Sequence, residues 1–246
     1  MNGTPEAIQS AYYEKTAASY DHLHTSQEDG EHYAALEFIA AFSNLLGLET
    51  FLDVGAGTGR GVRFLRARGK IVSGIEPVRK LIDEAEAQDI PSGTIVEGSG
   101  YALPYEDNSI DAVFECGVLH HVAEPARVVA EMMRVARKAV FLSDSNRFGQ
   151  GRSYPVRMLK LALYKTRLWN LARYIQTGGK MYSISDGDGL YYSYSVFDSY
   201  DLLARQADKI WVLPTSPRGA IHSWLHPLLT STHSLLCAIK ANQPDA

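Results

Sequence analysis

Phe51–Gly61, "FLDVGAGTGRG", is a short apolar run interrupted by Asp53 and followed by glycines at 55, 57, 59 and 61. A strand that runs into glycines makes a turn whose backbone can come close to a ligand, because residues without a Cβ adopt left-handed dihedrals freely. What lies on either side decides which fold holds this turn.

Outward from it, apolar runs alternate with helix-like segments through the first 145 residues. "TFLDVG", "KIVSGIE", "TIVEG", "DAVFECG" and "AVFLSD" read as strands, rich in Val, Ile and Phe and stopped by Gly, Pro or Asp. "GRGVRFLRARG", "PVRKLIDEAEAQ" and "PARVVAEMMRVARK" space apolar residues three and four apart, as helices laid on a sheet require. Pro77 and Pro125 are placed in first helical turns, where a missing N–H costs nothing. The pattern predicts an α/β doubly wound, Rossmann-like sheet of seven mostly parallel strands, with "KIWVLP" and an antiparallel "HSLLCAIKA" last. One domain is expected over 1–246. It divides into an N-terminal helical flap over the sheet edge with a first helix (1–47), a cofactor-binding core (48–146), a helical cap inserted after strand five (147–195) and a C-terminal return to the core (196–246). Residues 147–195 are too long for an ordinary connection, which is why they read as a cap.

Composition is that of an ordinary globular chain, 46% hydrophobic and 21% charged. No stretch reaches the roughly 20 apolar residues of a membrane span, and "MNGTPEAIQSAYYEK" does not resemble a signal peptide. Cys116 and Cys237 are too few and too distant for a disulfide framework, so a reducing, cytoplasmic setting is expected. A formal net charge of -4 argues against a duplex-binding surface, and nucleic acid is not an expected partner. Histidines and acids show no compact ligand spacing, so no metal site is expected; His222, His226 and His233 read as loop residues.

A nicotinamide dinucleotide needs G-x-G-x-x-G to seat its pyrophosphate on a helix N-terminus. Here the third glycine is one position early, and Asp53 would repel a phosphate. A cation tolerates Asp53, and S-adenosylmethionine carries a sulfonium and an ammonium and no phosphate. Glu76, ending the second strand 21 positions after Gly55, stands where a doubly wound fold brings an acid to a ribose.

"LDVGAGTGRG", "GIEP", "GSGYALPYEDNSIDAVFECGVLHHV" and "EPARVVAEMMRVARK", in this order and spacing, resemble the class I S-adenosylmethionine-dependent methyltransferases, in their small-molecule, type 11-like branch. The resemblance covers about residues 10 to 145. It implies that Asp53, Gly55, Ala56, Gly57 and Gly59 hold the methionine end, and that Glu76, followed by Pro77, takes the ribose. Ser99, Gly100 and Tyr101 would flank the adenine, Glu115, Cys116 and Gly117 would line the methyl-donor cavity, and Tyr20 would belong to a lid. Two features depart from the family pattern. Ser99 replaces the usual acid, and no Pro-Gly-Gly turn precedes "AVFLSDSNR", which leaves the register of strand five and the exposure of Asp144 and Asn146 open.

Methyl transfer needs an aligned acceptor and a base where a proton must leave. His120 and His121 after strand four and Asp144 after strand five are the candidates, with a loop-holding role for the histidines kept open; Asp144 and Asn146 are also candidates for acceptor binding. Strand four carries "ECGV" in place of an Asn/Asp-Pro-Pro-aromatic tetrad, which points away from amino-nitrogen methylation of a base or glutamine and leaves O-methylation of a small or medium metabolite as the leading reading. From Arg147 to Lys180 there are eight Lys or Arg and no acid. Arg152, Arg157, Lys160, Lys165, Arg167 and Arg173, set among Leu, Trp169 and Tyr, meet an anionic or amphiphilic acceptor or a membrane surface, or else are solvated faces of a cap. Tyr182, Tyr191, Tyr192 and Tyr194 fall in a glycine-rich loop that contacts the acceptor or packs on the core. A cofactor-binding but catalytically silent protein acting through its cap, and less readily a nicotinamide oxidoreductase, are the alternatives.

Overall fold

A computed structural model of the chain describes residues 4–20, 30–151, 153–185, 187–216 and 229–240. Seven strands, β1 (Thr50–Val54), β2 (Ile71–Glu76), β3 (Ile95–Glu97), β4 (Ile110–Cys116), β5 (Ala136–Ser145), β8 (Ala207–Pro214) and β9 (His233–Lys240), form one sheet in the order β3-β2-β1-β4-β5-β9-β8. The pairs among β1 to β5 are parallel, and β9 runs antiparallel to both β5 and β8. The order reverses between β1 and β4, and doubly wound sheets open a ligand crevice at that place, beyond the carboxyl ends of their strands.

Both faces of the sheet are covered, so its central strands are apolar almost throughout. Phe51, Phe114 and Phe141 pack on one face beneath α2 (Gly30–Leu46) and α3 (Arg60–Arg66). Leu52, Val113 and Leu142 pack on the other beneath α5 (Pro125–Val135), whose buried Val128, Val129, Met132, Met133 and Val135 follow the three-and-four spacing. α4 (Arg79–Ala87) buries Leu81, Ile82 and Ala85. Pro125 opens its helix as expected, whereas Pro77 precedes Val78, the N-cap of α4, and so stands outside the first turn.

The missing turn before strand five is absorbed locally. β5 begins at Ala136, directly after the last helical residue of α5, and pairs Ile110 with Ala136 but Ala112 with Ala139. One extra residue is accommodated as a bulge, after which the strand regains register.

The N-terminal flap is helical, as expected: α1 (Pro5–Thr16) packs on α4 and on β7 (Gly189–Tyr192). Thr4 caps it by accepting from the N–H of Ala7. The insertion does contain two helices, α6 (Tyr154–Lys165) and α7 (Trp169–Gln176), but the tyrosine-rich stretch after them is an antiparallel hairpin of β6 (Tyr182–Ser185) and β7. Gln9 of α1 joins flap to hairpin, accepting from the N–H of Leu190 and donating to the carbonyl of Asp188. The chain returns through α8 (Tyr200–Ala204) to β8. Among the described residues no helix is long and apolar enough to cross a membrane.

Candidate functional site

The glycine turn sits at the sheet's switch point. Gly55, Gly57 and Gly59 all have left-handed φ, of 76°, 54° and 83°. A Cβ on Gly55 would stand 2.5 Å from a methyl of Val118, so this glycine permits the approach of the β4 loop. A Cβ on Gly59 would stand 2.0 Å from the Ile90 side chain. Gly59 caps α3 and packs against the loop before β3, and it does not line the cavity below.

Glu76 is 4% exposed, and its two carboxylate oxygens accept from the backbone N–H groups of Gly57 (2.9 Å) and Val78 (3.0 Å). Burial raises its pKa to about 7 in spite of those two donors. Asp53, behind the turn, is pushed to about 8 by burial and by the neighbouring Glu76.

Glu76 faces a cavity of about 440 Å³, within the size range of small-ligand sites. Pro77, Val78, Leu81, Tyr101 and Val128 give it apolar walls, and Tyr13 and Tyr20 cover it from the flap. The Tyr20 hydroxyl lies 3.3 Å from where a Cβ of Gly57 would be. Tyr20, Gly55 and Cys116 also border a small recess with Asp53, Ala56 and Arg60. Ser99 and Gly100 also line it; the Ser99 hydroxyl accepts from the N–H of Tyr101. A larger groove of about 580 Å³ over α6 and β8, lined by Phe148, Leu161, Tyr164 and Val212, lacks these acid and histidine groups.

This cavity passes a chemical test for S-adenosylmethionine. Each Glu76 oxygen has one N–H partner and retains a lone-pair direction for a ribose hydroxyl. An acidic, phosphate-free turn with close-approaching backbone suits a cationic ligand, and the apolar walls suit an adenine.

Cys116 lines the cavity and burial raises its thiol pKa, but Glu115 is not one of the lining residues. Adjacent strand residues point to opposite faces, and Glu115 lies fully buried beside Asp144. One of its oxygens accepts from the N–H of Val118, the other has no hydrogen-bond partner among the described residues, and burial followed by the Asp144 charge raises its pKa.

His120 and His121 stand at the cavity's far end on a single 3-10 turn, their rings 4.0 Å apart. His121 lines the cavity, and its Nδ1 lies 2.6 Å from the carbonyl of Leu190 and 3.1 Å from the Gln9 amide nitrogen. The Nδ1 of His120 is 2.9 Å from the Asp144 carboxylate, which also accepts from the His120 N–H. Burial would lower the His120 pKa, but the charge and hydrogen bond of Asp144, with Asp188, outweigh it and raise the imidazole well above its ordinary value. Asp144 is held low by His120 against the opposing effect of burial.

The register of β5 therefore buries Asp144 and Asn146 completely. Asn146 donates to the Ser231 carbonyl and accepts from the N–H of Phe148, so its side chain holds a turn and is not free for an acceptor.

Sequence reading missed Asp188. Its carboxylate comes within 3.5 Å of His120 Nε2 and 3.4 Å of His121 Nε2, so with both histidines it makes a compact group of potential metal-ligand atoms where none was expected. Only the hairpin brings it there, and no local spacing announces it. Beyond the pair lies a second cavity of about 360 Å³, bordered by His120, Ser145, Asp188 and the cap. His233 opens β9 and lines this cavity, so it is not a loop residue; Arg152, His222 and His226 fall outside the described residues.

Residues 52–143 match the family model described as a methyltransferase domain. An uncharacterized methyltransferase of Mycolicibacterium vanbaalenii is 40% identical over 89 residues, 36% of this chain and 35% of that protein. One from Mycobacterium tuberculosis is 37% identical over 86 residues, 35% of each. The chain thus spans about a third of the length of the curated relatives it matches. Among solved structures, the magnesium protoporphyrin IX methyltransferase of Synechocystis PCC 6803 with bound S-adenosylhomocysteine shares the fold, with a TM-score of 0.62 at 16% identity over 96% of this chain and 100% of that one. A methyltransferase of Methanosarcina mazei shares it at a TM-score of 0.55 and 18% identity, over 81% and 96%. The matched domain, the strand order around its switch point and the turn that Glu76 fastens together support a class I S-adenosylmethionine-dependent methyltransferase of the type 11 branch.

Proposed function

We propose that the protein binds S-adenosylmethionine in the first cavity and transfers its methyl group to a hydroxyl of a small or medium-sized metabolite seated beyond His120 and His121. The observation that carries this reading is the buried Glu76 carboxylate, fixed by two backbone N–H groups and facing a cavity of suitable size.

In this reading Glu76 accepts from the ribose hydroxyls, Pro77, Tyr101 and Gly100 flank the adenine, and the Asp53–Gly57 turn borders the methionine end. Ser99 contributes less, because its hydroxyl already serves the Tyr101 N–H. Tyr13 and Tyr20 close over the site and exclude water. When bound, the cofactor supplies an electrophilic methyl group on a sulfonium.

His120 is the base. Asp144 fixes its Nδ1, so Nε2, 3.5 Å from Asp188 at the border of the second cavity, takes the hydroxyl proton while the Asp144 and Asp188 carboxylates stabilise the imidazolium. His121, committed to Leu190, positions the loop. A dinucleotide oxidoreductase is not favoured, since the turn offers no pyrophosphate seat and the comparisons are with methyltransferases.

Calorimetry with S-adenosylhomocysteine, for the native chain and Glu76→Ala, tests the cofactor assignment. Release of S-adenosylhomocysteine from a panel of phenols, sugars and hydroxy acids tests the transfer. A native chain that binds neither form of the cofactor refutes the proposal, and binding without turnover across the panel supports the catalytically silent alternative.

A further inference from the structure

The second cavity and the basic cap are one feature. The cavity is lined by His120 and Ser145 together with Arg147, Lys160 and Arg173. We infer that this cavity is an acceptor subsite for an anion, taking a metabolite with its reacting hydroxyl at His120 and a carboxylate or phosphate at the Lys160–Arg173 end. The inference rests on the methyl-transfer reading above and names the acceptor class.

Following the positive charges separates structural cations from available ones. Arg147 is 5% exposed and paired: its guanidinium donates to the Asp198 carboxylate and to the Ser193 carbonyl, and it lies over the Trp169 ring at 5.0 Å. Arg157 is occupied by the carbonyls of Gly151 and Leu229. Lys160 donates to the carbonyls of Arg147 and Gln150, neither of which carries charge. Arg173 donates to Gln176 and weakly, at 3.4 Å, to the Ser183 hydroxyl. Asp188, an acid on the cavity wall, sits against the two histidines. Lys160 and Arg173 therefore bring positive charge to the cavity without a carboxylate partner among the described residues.

Two further observations point to a ligand. The Nε atoms of Arg147 and Arg173 are both buried and have no hydrogen-bond partner among the described residues, a cost that an anionic oxygen would remove. Lys160 has its pKa lowered by burial and then by Arg147, Arg157 and Arg173, so positive charge is crowded around it. A solvated basic face would show neither feature. Trp169, Tyr191 and Tyr192 add aromatic walls, and about 360 Å³ suits a single-ring or sugar-sized acceptor.

The test uses the full chain, with and without S-adenosylhomocysteine, in phosphate-free buffer of low ionic strength. The probes are 4-hydroxybenzoate, 4-hydroxyphenyl phosphate and the neutral methyl 4-hydroxybenzoate, titrated by calorimetry. At least one anion is expected to bind about tenfold or more tightly than the ester, and Arg173→Gln and Lys160→Met should each remove about tenfold from the anion alone. The preferred anion identifies the group as carboxylate or phosphate. Equal binding of ester and anions, equal losses for both in the variants, or binding only to phosphatidylglycerol vesicles would overturn the inference. The anion-to-ester ratio is read in the unloaded chain too, so a failure to bind S-adenosylhomocysteine sinks the methyl-transfer reading separately.

Discussion

Glu76 makes this protein's stability and its ligand affinity respond to pH in opposite directions. Burial raises the Glu76 carboxyl from 4.5 to about 7, so between those values the folded chain holds a proton that the unfolded chain has released. Stability must fall as pH rises through that window, the reverse of the usual behaviour of a paired carboxylate. The shift corresponds to about 3 kcal/mol, or roughly 6–12 °C of Tm for a chain of this size. Asp53, raised from 3.8 to about 8, acts in the same direction; the two do not add, because the Glu76 charge is part of the cause at Asp53. A cation in the cavity favours the ionised acids, so S-adenosylmethionine should bind more tightly at pH 8 than at pH 6 and release protons on binding near pH 6.5. Scanning calorimetry from pH 5 to 8 on the ligand-free native chain and on Glu76→Gln reads the first effect, and titration in buffers of different ionisation enthalpy reads the second. Glu76→Gln keeps the shape but sets an amide NH₂ against a backbone N–H. It should therefore lower Tm at pH 5 by the equivalent of about 1–3 kcal/mol, flatten the pH slope, and weaken S-adenosylhomocysteine at least tenfold. A native Tm that is flat or rising from pH 5 to 8, or a parallel slope in the variant, would refute the reasoning.

Other consequences follow from the same geometry. His120→Ala should reduce kcat by about 10²- to 10⁴-fold with S-adenosylhomocysteine affinity retained, as turnover and calorimetry will show. Because Asp144 and Asp188 raise His120, the rate should climb with pH well above 6.5, and Asp144→Asn should move that limb toward acid while lowering kcat; the stability of this pair is complete below pH 6.5 and is lost as pH rises through the raised value. Gly55→Ala forces a non-glycine residue to φ 76° and a methyl against Val118, costing at least about 1–2 kcal/mol in denaturant unfolding. Arg147→Met leaves the Asp198 carboxylate without its cation and should destabilise by about 3–5 kcal/mol, with much of the loss recovered in the double variant Arg147→Met/Asp198→Leu.

What the sequence discloses about this chain depends on the distance over which each contact acts. The strands and helices of the core are written in local periodicity, and Glu76 could be placed because a doubly wound fold fixes the end of β2 relative to the turn after β1. The misplacement of Glu115 was avoidable on the same grounds. Phe114 and Cys116 belong to the face under α2 and α3, so the period of two already sends Val113 and Glu115 to the other face, next to Asp144. The cap is different. Arg147 reads as one more surface cation in an acid-free run, yet it is buried because Asp198, fifty-one residues onward, meets it through the return of the chain to the core. Asp188 reaches the histidines only because β6 and β7 fold back as a hairpin and α1 holds it through Gln9, a contact 179 residues apart in sequence. Charge counting could locate a positive segment but could not divide it into cations that hold the cap together and cations that face the cavity. That division is what separates a basic surface from a subsite, since Arg147 is paired with Asp198 and Arg157 stands outside the cavity lining, while Lys160 and Arg173 line it with no carboxylate partner among the described residues.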